Sequence, residues 1–88
     1  MLKPELSHRF KKDLKKYQHN KSVKEALDDV LKLLVKNEKL PESYLDHPLK
    51  GNYVGCRECH LKPDMLLVYW TDHQNIYLSR LGSHSELF

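Results

Sequence analysis

Apolar residues recur at helical spacing along the first third of the chain. Leu6, Phe10, Leu14 and Tyr17 stand four, four and three residues apart, one stripe with lysines opposite, and Ser7 precedes most of it in the position of an N-cap. The pattern predicts an amphipathic helix, preceded by a short strand, Met1 to Pro4, that Pro4 confines to a sheet edge or a strand end. A second helix is predicted to start at Ser22. There Ser22-Val23-Lys24-Glu25 has the form of a capping box, in which hydroxyl and carboxylate satisfy free backbone N–H groups reciprocally. Val23, Ala26, Leu27, Val30, Leu31 and Leu34 extend its apolar face to about Lys36, so two helices joined by Gln18 to Lys21 form a hairpin.

Past Asn37 the helical period is lost. Pro41, Pro48 and Gly51 mark residues 37–52 as a long ordered loop, a length that small domains seldom carry unless it serves function. Three apolar segments follow, Tyr53 to Leu61, Met65 to Trp70 and Ile76 to Leu81, separated by short turns at Lys62-Pro63-Asp64 and Thr71 to Asn75. Short turns make such neighbours antiparallel. Met65 to Trp70 lacks polar alternation, which predicts a central strand covered on both faces, with the helix hairpin on one of them. The expected architecture is α+β: one domain over residues 1–88, with a two-helix hairpin packed on one face of a small, mostly antiparallel sheet in the order β-α-α-β-β-β.

Length bounds the chain to one core, since 88 residues leave nothing for a second. The longest apolar run is the six residues from Met65 to Trp70, far short of a membrane span of roughly 18 or more, and Met1 to Glu5 has no apolar stretch of a secretory signal. A cytoplasmic protein without a membrane partner is expected. Charge is unevenly shared. Residues 1–40 hold eleven Lys and Arg against six Asp and Glu, whereas residues 41–88 hold four against six. The basic half suits a polyanion such as RNA, and a solvated lysine face accounts for Lys11, Lys12, Lys15 and Lys16 about as well. Four of the six histidines, His47, His60, His73 and His84, lie in the other half, so groups that titrate near neutral pH are concentrated there.

Cys56-Arg57-Glu58-Cys59-His60 matches the C-x-x-C-H pattern of covalent haem attachment, and C-x-x-C also occurs in zinc and redox sites. Haem attachment calls for export, and a structural zinc site calls for a second ligand pair that this chain lacks. In a strand, moreover, residues three apart point to opposite faces, so Cys56 and Cys59 are expected to be ordinary reduced thiols. The same two-residue period places Cys56, Glu58 and His60 on one face and Arg57, Cys59 and Leu61 on the other. Glu58 and His60 become neighbours, with Asp64 across the turn and Arg80 near the end of the last strand.

Four blocks in register now form a recognisable pattern: Asp46 to Gly51, Arg57 to Asp64, Leu66 to Tyr69, and Arg80 to Phe88. Together they closely resemble the YafQ-type toxins of the RelE superfamily, from bacterial type II toxin–antitoxin systems, while the helical half is compatible but unspecific. The resemblance implies a RelE-like microbial ribonuclease fold. It also implies a ribosome-dependent endoribonuclease that cuts translated mRNA in the ribosomal A site and is held inactive by a cognate antitoxin. On this pattern the catalytic set is His47, His60, Asp64, Arg80, His84 and Phe88, and Glu58 stands where a related acidic residue occurs. Partners would be the antitoxin, the ribosome and mRNA, with DNA reached only through the antitoxin complex. A non-catalytic RNA- or ribosome-binding module of the same fold is the alternative.

RNA cleavage through the 2′-hydroxyl needs a base, an acid for the departing 5′-oxygen, and positive charge on the phosphorane oxygens. No metal or other cofactor is expected. Histidine suits the proton-transfer roles because its ordinary pKa is near 6.5, and each such role contributes about 10²- to 10⁴-fold. His60 and His84 are assigned the main acid–base roles, with His47 assisting proton transfer or binding phosphate and Asp64 orienting a histidine. Arg80 would neutralise the phosphate and Phe88 would stack on a base. Glu58, Lys50, Lys11, Lys12, Lys15 and Lys16 complete the expected RNA-contacting set.

Overall fold

The computed structural model describes all residues, 1–88. Its elements are β1 (Lys3–Leu6), α1 (His8–Lys16), α2 (Lys21–Val35), β2 (His47–Pro48), β3 (Arg57–Lys62), β4 (Met65–Thr71), β5 (Asn75–Gly82) and α3 (His84–Leu87). The strands form one sheet in the order β1-β5-β4-β3-β2. All pairs are antiparallel except β1 with β5, which run parallel because the whole helix hairpin and the meander intervene between them. The α+β expectation holds. The three-stranded meander turns out to be the middle of a five-stranded sheet.

Several boundaries differ from those expected. The first strand is Lys3–Leu6 rather than Met1 to Pro4; Pro4 is tolerated because it lies on the sheet edge. Ser7 caps α1 as expected, accepting from the Phe10 N–H. Ser22 does not cap α2. Asn20 does, accepting from Val23 N, which starts the helix one residue before Ser22 and leaves Glu25 to face Lys21 one turn away. The capping box occurs instead at Ser83 and Glu86, opening the unforeseen helix α3. The expected strand from Tyr53 begins only at Arg57, since Gly51–Tyr53 forms a 3₁₀ turn and Gly55 takes a positive φ of 93°. Within the long loop, His47–Pro48 pairs with β3 as a two-residue edge strand.

One face of the sheet is closed by the helices. Phe10, Val23, Leu27, Val30 and Leu34 pack there against Cys59, Leu61, Leu67, Tyr69, Ile76, Leu78 and Leu81. On the other face Leu66 and Val68 are buried beneath Leu87 of α3, with Leu49, Tyr53 and Cys56 around them. The unalternated apolar run in β4 is thereby explained: both of its faces are covered. Because β1 is short, the last half of β5 would present an open edge, and α1 lies along it. Ser7 Oγ donates to the Ser79 carbonyl, and Asp13 accepts from the Leu81 N–H.

Candidate active site

Period-two alternation along β3 aims Glu58 and His60 at the α3 face and Cys59 and Leu61 at the helix side, as expected. Cys59 is fully buried, and burial, reinforced by Asp46 and Glu58, pushes its thiol up to about 12. Cys56 lies on the opposite face and both cysteines are free thiols.

His47 arrives at the site through a backbone device. Leu45 adopts a left-handed conformation, φ 51°, which is rare for a branched residue and reverses the chain just before β2. Asp46 then faces inward, accepting from Arg57 Nε at 2.9 Å and from the Tyr69 hydroxyl at 2.6 Å. Burial, then the Asp46 bond, raises the Tyr69 pKa. His47 pairs in register with Glu58, its Nε2 2.9 Å from Glu58 Oε2 and its Nδ1 2.7 Å from the Leu45 carbonyl. A carbonyl and a carboxylate both accept, so an imidazolium satisfies this pair of neighbours fully.

His84 is placed by α3. Asp64 Oδ1, in the β3–β4 turn, accepts from the His84 backbone N–H at 3.1 Å and lies 3.0 Å from its Nδ1, which leaves Nε2 unengaged. These bonds from His84 hold the Asp64 carboxyl below the usual carboxylate range. The rings of His60 and His84 lie 5.7 Å apart by centroid, and those of His47 and His60 lie 6.3 Å apart. His60, Tyr44, Leu45 and Pro63 line a cleft of about 590 Å³ beside them.

Arg80 does not extend freely toward solvent. Its Nε and Nη2 fork onto the two Asp13 oxygens at 2.8 and 3.2 Å, and that pairing raises its pKa. Phe88 is exposed and meets Tyr53 edge-on, with centroids 5.5 Å apart. Of the lysines, Lys11, Lys12, Lys15 and Lys50 are exposed, whereas Lys16 is tied to Glu86, which also accepts from the Tyr17 hydroxyl and the Ser83 N–H. These contacts bring Glu86 down to about 2, and burial together with Glu86 raises Tyr17 to about 12.

Sequence reasoning thus named the histidines, Asp64 and Arg80 and missed three carboxylates that orient the site: Asp13, Asp46 and Glu86. Asp13 carried a signal, being the one acidic residue in the otherwise basic α1. Glu58, His60 and His84 each offer a ligand atom within 4.8 Å of the others, a set able to hold a metal ion.

The fold and site belong to a known class. The family described as the bacterial toxin of type II toxin–antitoxin system, YafQ, matches residues 2–88. The chain is 35% identical over 85 residues to the mRNA interferase toxin YafQ of Escherichia coli strain K12, covering 96% of this chain and 92% of that protein. Among solved structures, the E. coli DinJ–YafQ complex superposes with a TM-score of 0.88 at 34% identity, covering 100% of this chain and 99% of the other. A copper-bound mutant toxin from Helicobacter pylori superposes with a TM-score of 0.91 at 45% identity, covering both chains completely. The chain belongs to the YafQ family of type II toxins.

Proposed function

We propose that this toxin cleaves mRNA on the translating ribosome by general acid–base chemistry and is neutralised by a cognate antitoxin, as DinJ partners YafQ in E. coli. The observation that carries the reading is the convergence of His47, His60 and His84 on one sheet face, two of them oriented by separate carboxylates. One of His60 and His84 takes the proton of the 2′-hydroxyl as its oxygen attacks phosphorus. The other gives a proton to the 5′-oxygen as the P–O5′ bond breaks, leaving a 2′,3′-cyclic phosphate and a 5′-hydroxyl. Arg80, planar and clamped by Asp13, supplies positive charge toward the phosphorane oxygens, and His47, paired with Glu58, assists by binding phosphate. Phe88, exposed beside Tyr53, is placed to stack on a base.

Ribosome dependence is supported by the exposure of much of the site. His47, His84 and Phe88 are exposed, so the in-line geometry of attack is left to RNA already held in the decoding centre. Lys11, Lys12, Lys15 and Lys50 serve as contacts to ribosomal phosphates. No helix of the chain is long and apolar enough to cross a membrane, and a ribosomal target is the ground for a cytoplasmic location in this reading. Primer extension on a defined mRNA in a bacterial translation extract tests the reading. The wild type gives codon-aligned cuts only with ribosomes, and His60→Ala/His84→Ala gives none. Translation arrest without cuts, unchanged in the double variant, would establish a ribosome-blocking binder instead.

A further inference from the structure

Glu58 is the one charged side chain buried in this protein, 5% exposed, and its Oε1 has no hydrogen-bond partner. Buried carboxylate oxygens are ordinarily satisfied, so an orphan invites a ligand. We propose that Glu58 Oε1, His60 and His84 Nε2 form a binding site for a divalent transition metal of the copper or zinc type, and that its occupation switches the nuclease off. The inhibitory part rests on the assignment of His60 and His84 as the proton-transfer groups.

Three features of the cluster carry the proposal. One ligand atom of each residue lies within 4.8 Å of the others, and a tetrahedral ion with bonds of roughly 2.0–2.1 Å holds its donors roughly 3.3 Å apart. The remaining closure is within reach of His84, whose side chain is exposed and sits on a four-residue helix. Each of two donors is also held from behind. Glu58 Oε2 contacts His47 Nε2, and His84 Nδ1 contacts Asp64, which leaves Oε1 and Nε2 as the free donor atoms. A carboxylate behind a ligating histidine fixes its tautomer and raises its basicity, the usual outer support of a metal site. Lastly, two imidazoles and one carboxylate favour zinc or copper over magnesium or calcium, and three protein donors leave a position for water. The Helicobacter pylori relative described above is a copper-bound protein with the same fold.

Occupation and catalysis exclude each other, because an imidazole lone pair given to a metal can no longer accept a proton. The test uses the full chain stripped with a chelator and titrated with Cu(II) or Zn(II) alone, by calorimetry and, for copper, electron paramagnetic resonance. Expected are one ion per chain, nitrogen hyperfine structure from two imidazoles, and affinity weakened at least about tenfold in His60→Gln, His84→Gln and Glu58→Gln. His73→Gln, on the exposed β4–β5 turn, binds as wild type. In the translation extract one equivalent of metal suppresses cleavage, and excess chelator restores it. Undiminished affinity in His60→Gln and His84→Gln would place the ion elsewhere and overturn the site. Wild-type cleavage by the fully loaded protein would overturn the inhibitory role. A stripped protein that never cleaves would refute the nuclease reading instead, while the spectroscopy still decides the site.

Discussion

The two faces of the sheet are held by different forces. The helix side is an apolar core, in which Phe10, Val30, Leu67 and Ile76 are completely buried and need only fit. The α3 face has a small apolar centre of Leu66, Val68 and Leu87 ringed by charge pairs between separate elements: Asp13 with Arg80, Glu58 with His47, Asp64 with His84, and Glu86 with Lys16. Burial is tolerant of direction, whereas hydrogen-bonded ions are not. The first face therefore makes the domain, and the second fixes where each functional side chain points.

Substitutions on the two faces should separate stability from activity. The largest effect is expected from His84→Ala: cleavage falls about 10²- to 10⁴-fold, while the thermal midpoint barely moves because the backbone N–H keeps its bond to Asp64. Equal loss of folding by circular dichroism would erase the distinction. Phe10→Ala, on the helix side, costs about 3–5 kcal/mol in a urea melt, most of the stability of a domain this size, and any folded fraction retains its cleavage pattern.

Asp13→Asn sits between these extremes. It removes one half of a largely buried, forked ion pair and costs about 1–3 kcal/mol of stability. Cleavage should fall by more than that destabilisation explains, read as a drop in single-turnover rate on protein that is demonstrably folded, with partial rescue in Asp13→Glu. The smallest effect is expected from Glu86→Gln, at most about 1 kcal/mol near neutral pH, because Lys16 is largely exposed and water screens the pair. Its pH dependence is diagnostic. Glu86 titrates lower folded than unfolded, so its stabilisation is complete above about 4.5 and is lost as pH falls toward 2. The gap between wild type and variant in acid melts should close over that window.

Much of this was legible in the residues. Helical spacing located α1 and α2, the unalternated run from Met65 marked the strand covered on both faces, and the period of two along β3 correctly set Glu58 and His60 apart from Cys59. What escaped were features set by contacts distant in sequence. Ser22 matched a cap pattern as well as Asn20 does, and only the packing of Val23 and Leu27 chose between them. No local signal pairs Lys3–Leu6 with a strand some seventy residues later. Arg80 looked like a free cation because its partner Asp13 lies 67 residues away. α3 was hidden by its brevity, since four residues show no period, although its Ser83–Glu86 cap was in plain view.

The parallel pairing of β1 with β5 has a bearing on how such a protein is made. The strand carrying Arg80 must insert between β4 and a segment from the opposite end of the chain, so the sheet cannot close until residues 75–78 are free to reach it. His84 and its helix come later still. His84 therefore joins His47 and His60 only after every strand of the sheet has been made, so the histidine cluster is among the last features of the fold to be completed.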